Sequence, residues 1–141
     1  MKDCSYFLDT NVFLRPVVKD NATQTDHCER LITSVAEGEV EAFTSLLVLA
    51  EFIWVSQKVY KIKKEETTKA LEGILSIKNL TIDDRIDPLR AVGLYKNSSA
   101  KFIDTLIASH VLVVQQKAKI VSYDTDFDKL KVERVEPGEL V

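Results

Sequence analysis

The chain has 141 residues, 45% of them hydrophobic and 29% charged, which is enough for a single α/β-sized domain over 1–141 with a substantial buried core. No stretch approaches the roughly 18 uninterrupted apolar residues of a membrane span, and the opening MKDCSYFLDT lacks signal-peptide architecture, so a cytoplasmic protein with no membrane partner is expected. The net charge of −3 argues at first against a nucleic-acid partner, but setting aside the five candidate acids developed below leaves 17 acids against 19 basic residues, so bulk charge decides nothing.

In chain order, CSYFLD reads as a strand that ends on Asp9, with Arg15 and Lys19 expected in the loop that follows. Cys28, Leu31, Ile32 and Val35 recur at i, i+3, i+4, i+7, one face of a helix that EGE brings to an end. VEAFTS is a second short strand, and Thr44 or Ser45 can cap the helix LLVLAEFIWVSQKVY. Ala70, Leu71, Ile74 and Leu75 mark a further helix, and NLTID a third strand. Asp87 followed by Pro88 is a start signal for the helix LRAVGLYKN. SSAKFIDTLIASHVLVVQQKAK opens with serine caps and carries one long apolar stripe through His110, which reads as a core histidine. KIVSYD is a fourth strand, TDFDKL a helical turn and KVERVEP an edge strand. Cys4, Cys28, His27 and His110 share no metal-ligand spacing, so the cysteines read as structural thiols.

Strands alternating with helices favour a mostly parallel, doubly covered sheet, in which ligands bind beyond the carboxyl ends of the strands. Four acids occupy positions that are costly for a carboxylate. Asp9 ends the first strand, and Glu51 is the one residue between Leu46 and Val55 that is not apolar. A lone ionised carboxylate in such a segment costs several kcal/mol unless something pairs with it. Asp104 lies on the shoulder of an apolar stripe, where the alternative is a first-turn acid favoured by the helix dipole. Asp124 ends the fourth strand in SYDTDFDKL, and Ser122 shares its face. Asp126 is the alternative fourth acid but is expected to be the N-cap of the next turn, with Asp128 a structural first-turn acid. Hard carboxylate oxygens without histidine or thiolate select Mg²⁺ or Mn²⁺, which can activate water for displacement at phosphorus.

The segments FLDTNVFLR, TSLLVLAEFIWV, KFIDTLIA and VSYDTDFDKL stand in the order and approximate spacing of the PIN-domain family. The chain most resembles the toxin half of VapBC-type toxin–antitoxin modules, and the resemblance covers almost its whole length. It implies a three-layer α/β fold, with a five-stranded parallel sheet of order 3-2-1-4-5 between helices. It also implies an Mg²⁺- or Mn²⁺-dependent ribonuclease with an RNA substrate, a cognate antitoxin and a homodimeric state. Family roles carry over to Asp9, Glu51, Asp104 and Asp124, with Asp9 and Asp104 as principal metal ligands. Thr10 or Asn11 and Ser122 match polar positions that support the site, and Ser122 stands where threonine is commoner.

Two other readings compete. A phosphoacceptor receiver domain would want two acids at the end of the first strand and a late lysine, whereas Asp9 stands alone and IVSYD ends in acid. A PIN-like module that binds RNA or protein without cleaving it would be marked by loss of an acid, and all four are present. A housekeeping RNA-processing nuclease without an antitoxin has the same site. For RNA contacts, QKVYKIKK offers Lys58, Lys61, Lys63 and Lys64 beside Tyr60, either a phosphate-binding edge or a solvated helix end.

Overall fold

The computed structural model describes residues 4–141. Five short strands, β1 (Ser5–Leu8), β2 (Ala42–Thr44), β3 (Thr81–Ile82), β4 (Ala118–Val121) and β5 (Arg134–Val135), form one sheet of order β3-β2-β1-β4-β5. Every pairing is parallel, and helices flank the sheet, as the sequence led us to expect. Phe7 and Leu8 of β1 and Ile120 and Val121 of β4 are buried on both sides, which is why these segments read as short apolar blocks without alternation. Phe7 meets Phe43 edge to face at 5.4 Å, and the Thr44 hydroxyl donates to the Leu8 carbonyl at 2.8 Å, tying the ends of β1 and β2 together.

The helices are α1 (Thr10–Val18), α2 (Ala22–Ala36), α3 (Leu46–Lys58), α4 (Lys64–Leu75), α5 (Pro88–Lys96), α6 (Phe102–Ala108) and α7 (Val111–Val114). Cys28, Leu31 and Val35 form the buried face of α2, which stops where Gly38 turns the chain with φ at +78°. Ser45 caps α3, its hydroxyl accepting from the Leu47 N–H at 3.1 Å and donating to Asp84 Oδ1 at 2.7 Å. Asp87 caps α5 with Pro88 in the first position, as its dipeptide signalled.

Two expectations are corrected. The segment after Asp9 is a helix, not a loop: α1 begins at Thr10, contains Pro16 and ends at Lys19 in a left-handed conformation, so Arg15 lies on its last turn. The long apolar stripe is also not one helix. Its first part starts at Phe102 with Lys101 at the cap position, rather than at the serines, and it ends at Ser109. The Ser109 hydroxyl bonds back to the Thr105 carbonyl at 2.7 Å, and His110 then turns extended and pairs with Ile86 in an antiparallel bridge.

His110 is the core histidine expected, with no exposed surface, and it rests against the rings of Phe7 and Phe43. Its Nδ1 accepts from the Leu112 N–H at 3.1 Å and so caps α7. The proton therefore sits on Nε2, which reaches the Asp83 carbonyl at 3.2 Å and Asp83 Oδ1 at 3.1 Å. Truncating this ring removes packing and takes the ring from the Leu112 N–H and the Asp83 carbonyl, while Asp83 Oδ1 keeps Arg85. We expect His110→Ala to lower the unfolding free energy by about 3 kcal/mol in urea titration. A loss well under 1 kcal/mol would show that the histidine does not join these segments.

Candidate functional site

β1 and β4 run side by side with Leu8 opposite Val121, so the residues after each strand leave the sheet together. Asp9 continues the ladder by one bond, its N–H donating to the Val121 carbonyl at 3.1 Å, and its side chain is 4% exposed. Ser122, one residue beyond β4, donates its hydroxyl to Asp9 Oδ2 at 2.6 Å and accepts the Asp124 N–H at 3.0 Å. The Thr10 hydroxyl donates to Glu51 Oε1, which ties the start of α1 to the middle of α3. From α6 comes Asp104, 3% exposed. Asp9, Glu51, Asp104 and Asp124 all line one cavity of about 130 Å³, with Thr10, Asn11 and Lys101 beside them. The four acids singled out in the sequence are therefore brought together.

The field in this cavity is strongly uneven. Burial, followed by the nearby Asp124 charge, pushes the Asp104 carboxyl up to about 8, against the pull of Lys101. Burial also raises Asp9 to about 6, opposed by its bonds from Ser122 and the Thr10 N–H and reinforced by the charges of Glu51 and Asp124. Asp124 goes the other way: burial raises it, but the Asp126 N–H, Asp104 and Lys101 together hold it below the ordinary carboxylate value. Two buried oxygens, Asp9 Oδ1 and Asp104 Oδ2, have no hydrogen-bond partner. Natural folds rarely leave such oxygens unmet in the interior, and a bound ion is one way of meeting them.

The three aspartates near the end sort differently from expectation in one respect. The N-cap of the 3₁₀ turn Thr125–Leu130 is Asp124, not Asp126: its Oδ1 accepts the Asp126 N–H at 2.9 Å. The fourth strand also stops earlier than expected, at Val121, so Asp124 does not end it or share a strand face with Ser122. It stands three residues beyond, directly before the 3₁₀ turn, where the same carboxylate caps the turn and lines the cavity. Asp126 remains close, since oxygens of Asp104, Asp124 and Asp126 lie within 4.8 Å of one another, but its carboxylate meets Lys129 Nζ at 3.1 Å. Asp128 pairs with Arg134 at 3.1 Å and is structural, as expected.

Sequence reasoning missed Lys101. Its Nζ lies 3.2 Å from Asp124 Oδ2 and 3.9 Å from Asp104 Oδ2, on a side chain that is 63% exposed. The signal was available: Lys101 stands three residues before Asp104, and i, i+3 neighbours share a helical face.

Oxygen-only donors, two unmet buried oxygens and three converging carboxylates suit a hard divalent cation. They do not suit zinc, because neither histidine lines the cavity. The raised values of Asp9 and Asp104 fix a pH dependence for the metal-free protein. A carboxyl whose folded value lies above its unfolded value binds more protons when folded, so stability falls as pH rises from about 4 through about 6 and about 8. Asp124 sits below the ordinary value and acts only beneath that window. With chelator present, the urea midpoint is expected to be higher at pH 5.5 than at pH 8.5, and Asp104→Asn should shrink the difference. A higher midpoint at pH 8.5 in the unmodified protein would contradict the assignment.

The PIN domain family matches residues 6–133. Among solved structures, VapBC2 from Rickettsia felis, bound to a DNA fragment from its promoter, is similar with a TM-score of 0.67 at 24% identity, over 93% of this chain and 97% of that one. VapC20 from Mycobacterium tuberculosis, a toxin that cleaves the sarcin–ricin loop, is similar with a TM-score of 0.66 at 16% identity, over 94% of this chain and 100% of that one. No curated protein matches. With a parallel β3-β2-β1-β4-β5 sheet and a family match across nearly its whole length, the chain belongs to the PIN-domain family.

Proposed function

We propose that this protein is an Mg²⁺- or Mn²⁺-dependent endoribonuclease, the toxin of a toxin–antitoxin pair, acting on RNA in the cytoplasm. One observation carries the reading: Asp9 and Asp104, the two deeply buried acids of one small cavity, each keep an oxygen without a hydrogen-bond partner. A carboxylate pair in that state is built for a cation. The ion, once bound, favours deprotonation of water and offsets the charge that grows on the oxygens around phosphorus.

The chain's own groups have separable tasks in this reading. Ser122 occupies Asp9 Oδ2 and leaves Oδ1 free, so Asp9 and Asp104 are the residues that would hold the ion. Asp124 is steadied by the Asp126 N–H and adds negative charge beside Asp104. Glu51 has one oxygen engaged by Thr10, and the other is left to orient a water and take up its proton. Asn11 lines the same cavity and can hold a substrate oxygen. Asp126 adds a carboxylate within 4.8 Å of Asp104 and Asp124 and pairs with Lys129.

Similarity to VapBC2 and to VapC20 supports the toxin assignment and with it a cognate antitoxin. A homodimer has surface available to it, since Leu89, Val92 and Tyr95 on α5 are exposed apolar side chains. Among the described residues no helix is long and apolar enough to cross a membrane.

Cleavage of RNA is expected to require Mg²⁺ or Mn²⁺ and to be lost in Asp9→Asn and in Asp104→Asn, because an amide keeps the shape and removes the charge that holds the ion. Both variants should fold at least as stably as the parent without metal. Full cleavage in excess chelator, or in both variants, would overturn the mechanism. For partners, light scattering is expected to report a dimer, and a small protein encoded next to this one should bind it and block cleavage. A strict monomer whose cleavage no neighbouring gene product inhibits would instead make it a housekeeping nuclease.

A further inference from the structure

An acidic cavity repels a polyanion, so a ribonuclease of this design needs fixed positive charge where the strand arrives. The run Lys58 to Lys64 suggested by the sequence is a poor provider, because Glu65 and Glu66 follow it in the first turn of α4. A different surface fits better. Between α5 and the end of the turn Thr125–Leu130 runs a groove of about 510 Å³. Its lining holds three cations, Arg90, Lys129 and Lys131, and no carboxylate, on a chain whose net charge is −3.

Two of these cations are uncommitted. Among the described residues the side chains of Arg90 and Lys131 make no ion pair or hydrogen bond, although 22 acids are present in the chain. Lys131 sits in a left-handed conformation (φ +57°) that closes the 3₁₀ turn. The third cation joins the groove to the acids: Lys129 Nζ is 3.1 Å from Asp126 Oδ1 and 3.3 Å from Ser99 Oγ, and Asp126 belongs to the carboxylate cluster with Asp104 and Asp124. Lys101, on Asp124 at 3.2 Å, lines the acidic cavity itself.

Resting on the ribonuclease reading above, we propose that the groove formed by Arg90, Lys129 and Lys131 is the track on which single-stranded RNA lays its phosphates as it enters the Asp9–Asp104 cavity. Cations without protein partners hold only mobile counterions, and releasing these to solution on phosphate binding favours association and makes it salt-dependent. Asn97 and Ser98 line the same groove and add neutral hydrogen-bonding groups, while Leu94 and Leu130 give it an apolar floor. Lys101 and Lys129 have exposed stems, 63% and 53%, and can turn from their aspartates to a phosphate once another cation neutralises the cluster.

The test uses the full chain with Asp104→Asn as the non-cleaving parent, and a short fluorescent single-stranded RNA followed by anisotropy over a salt series. Adding Arg90→Gln with Lys131→Gln is expected to weaken binding about tenfold and to reduce the slope of log affinity against log salt by about one to two. Adding Lys58→Gln with Lys63→Gln is expected to change affinity less than about twofold. In the cleaving protein with Mn²⁺, the Arg90 and Lys131 changes should raise KM for RNA while calorimetry shows Mn²⁺ affinity unaltered. Unchanged RNA affinity in the groove variant, an equal loss in the Lys58 and Lys63 variant, or a parent that binds no RNA while the wild type cleaves it would overturn the groove. A wild type that cleaves no RNA with Mn²⁺ would overturn the ribonuclease reading itself, and the groove with it.

Discussion

The parallel ladder between β1 and β4 is the constraint on which the site depends. It brings two loop starts, at Asp9 and Ser122, to the same edge of the sheet and holds them there with the Asp9 N–H to Val121 carbonyl bond. Once that register is set, the Ser122 hydroxyl falls on Asp9 Oδ2, and Asp124 falls where its carboxylate can cap the next turn. A one-residue slip would send these side chains to opposite faces. The helices then complete the site: α1 starts at Thr10, directly after the last ladder bond at Asp9, and Thr10 reaches across to Glu51. In open parallel sheets the crevice forms beyond the carboxyl ends of strands, and here four acids, Asp9, Glu51, Asp104 and Asp124, line it together with Thr10, Asn11, Leu14, Val55 and Lys101.

That acid is expensive without a cation. Asp9 and Asp104 are buried, both are pushed well above the ordinary carboxylate range, and each leaves an oxygen unmet. Some of the strain is relieved by cations from the protein itself, with Lys101 on Asp124 and Lys129 on Asp126. Both lysines are exposed, so their attraction is screened by solvent and offsets only part of the repulsion. Asp128 and Glu136 are served separately by Arg134, whose guanidinium also donates to the Ser122 carbonyl at 3.0 Å and so braces the chain just beyond β4. Local destabilisation kept at a site is commonly the mark of a ligand that removes it.

Much of this was legible in the sequence, and the reasons differ by element. Asp9, Glu51 and Asp104 stood out because each interrupts an apolar pattern, and each proved to line the same cavity. The middle of the sheet was legible because β1, β2 and β4 are largely buried apolar runs set between helical stripes, whereas the edge strands β3 and β5 are exposed or half-buried. α1 was not, since Val12, Phe13 and Leu14 show no helical period within nine residues and Pro16 reads as a breaker. The break at His110 was hidden for the opposite reason: α6 and α7 present compatible apolar faces, and only the Ser109 back-bond and the bridge to Ile86 reveal the turn. Capping by Asp124 depends on where the 3₁₀ turn begins, a matter of one residue that composition does not encode.

The family match and the shared fold fix the setting of the site, while the claim that it holds a metal rests on the two unmet oxygens. Anomalous scattering from crystals equilibrated with Mn²⁺ addresses that claim most directly. The account predicts a peak in the cavity in bonding contact with Asp9 Oδ1 and Asp104 Oδ2. A cavity without a peak under saturating Mn²⁺, or a peak only on surface acids such as Glu65 and Glu66, would contradict it.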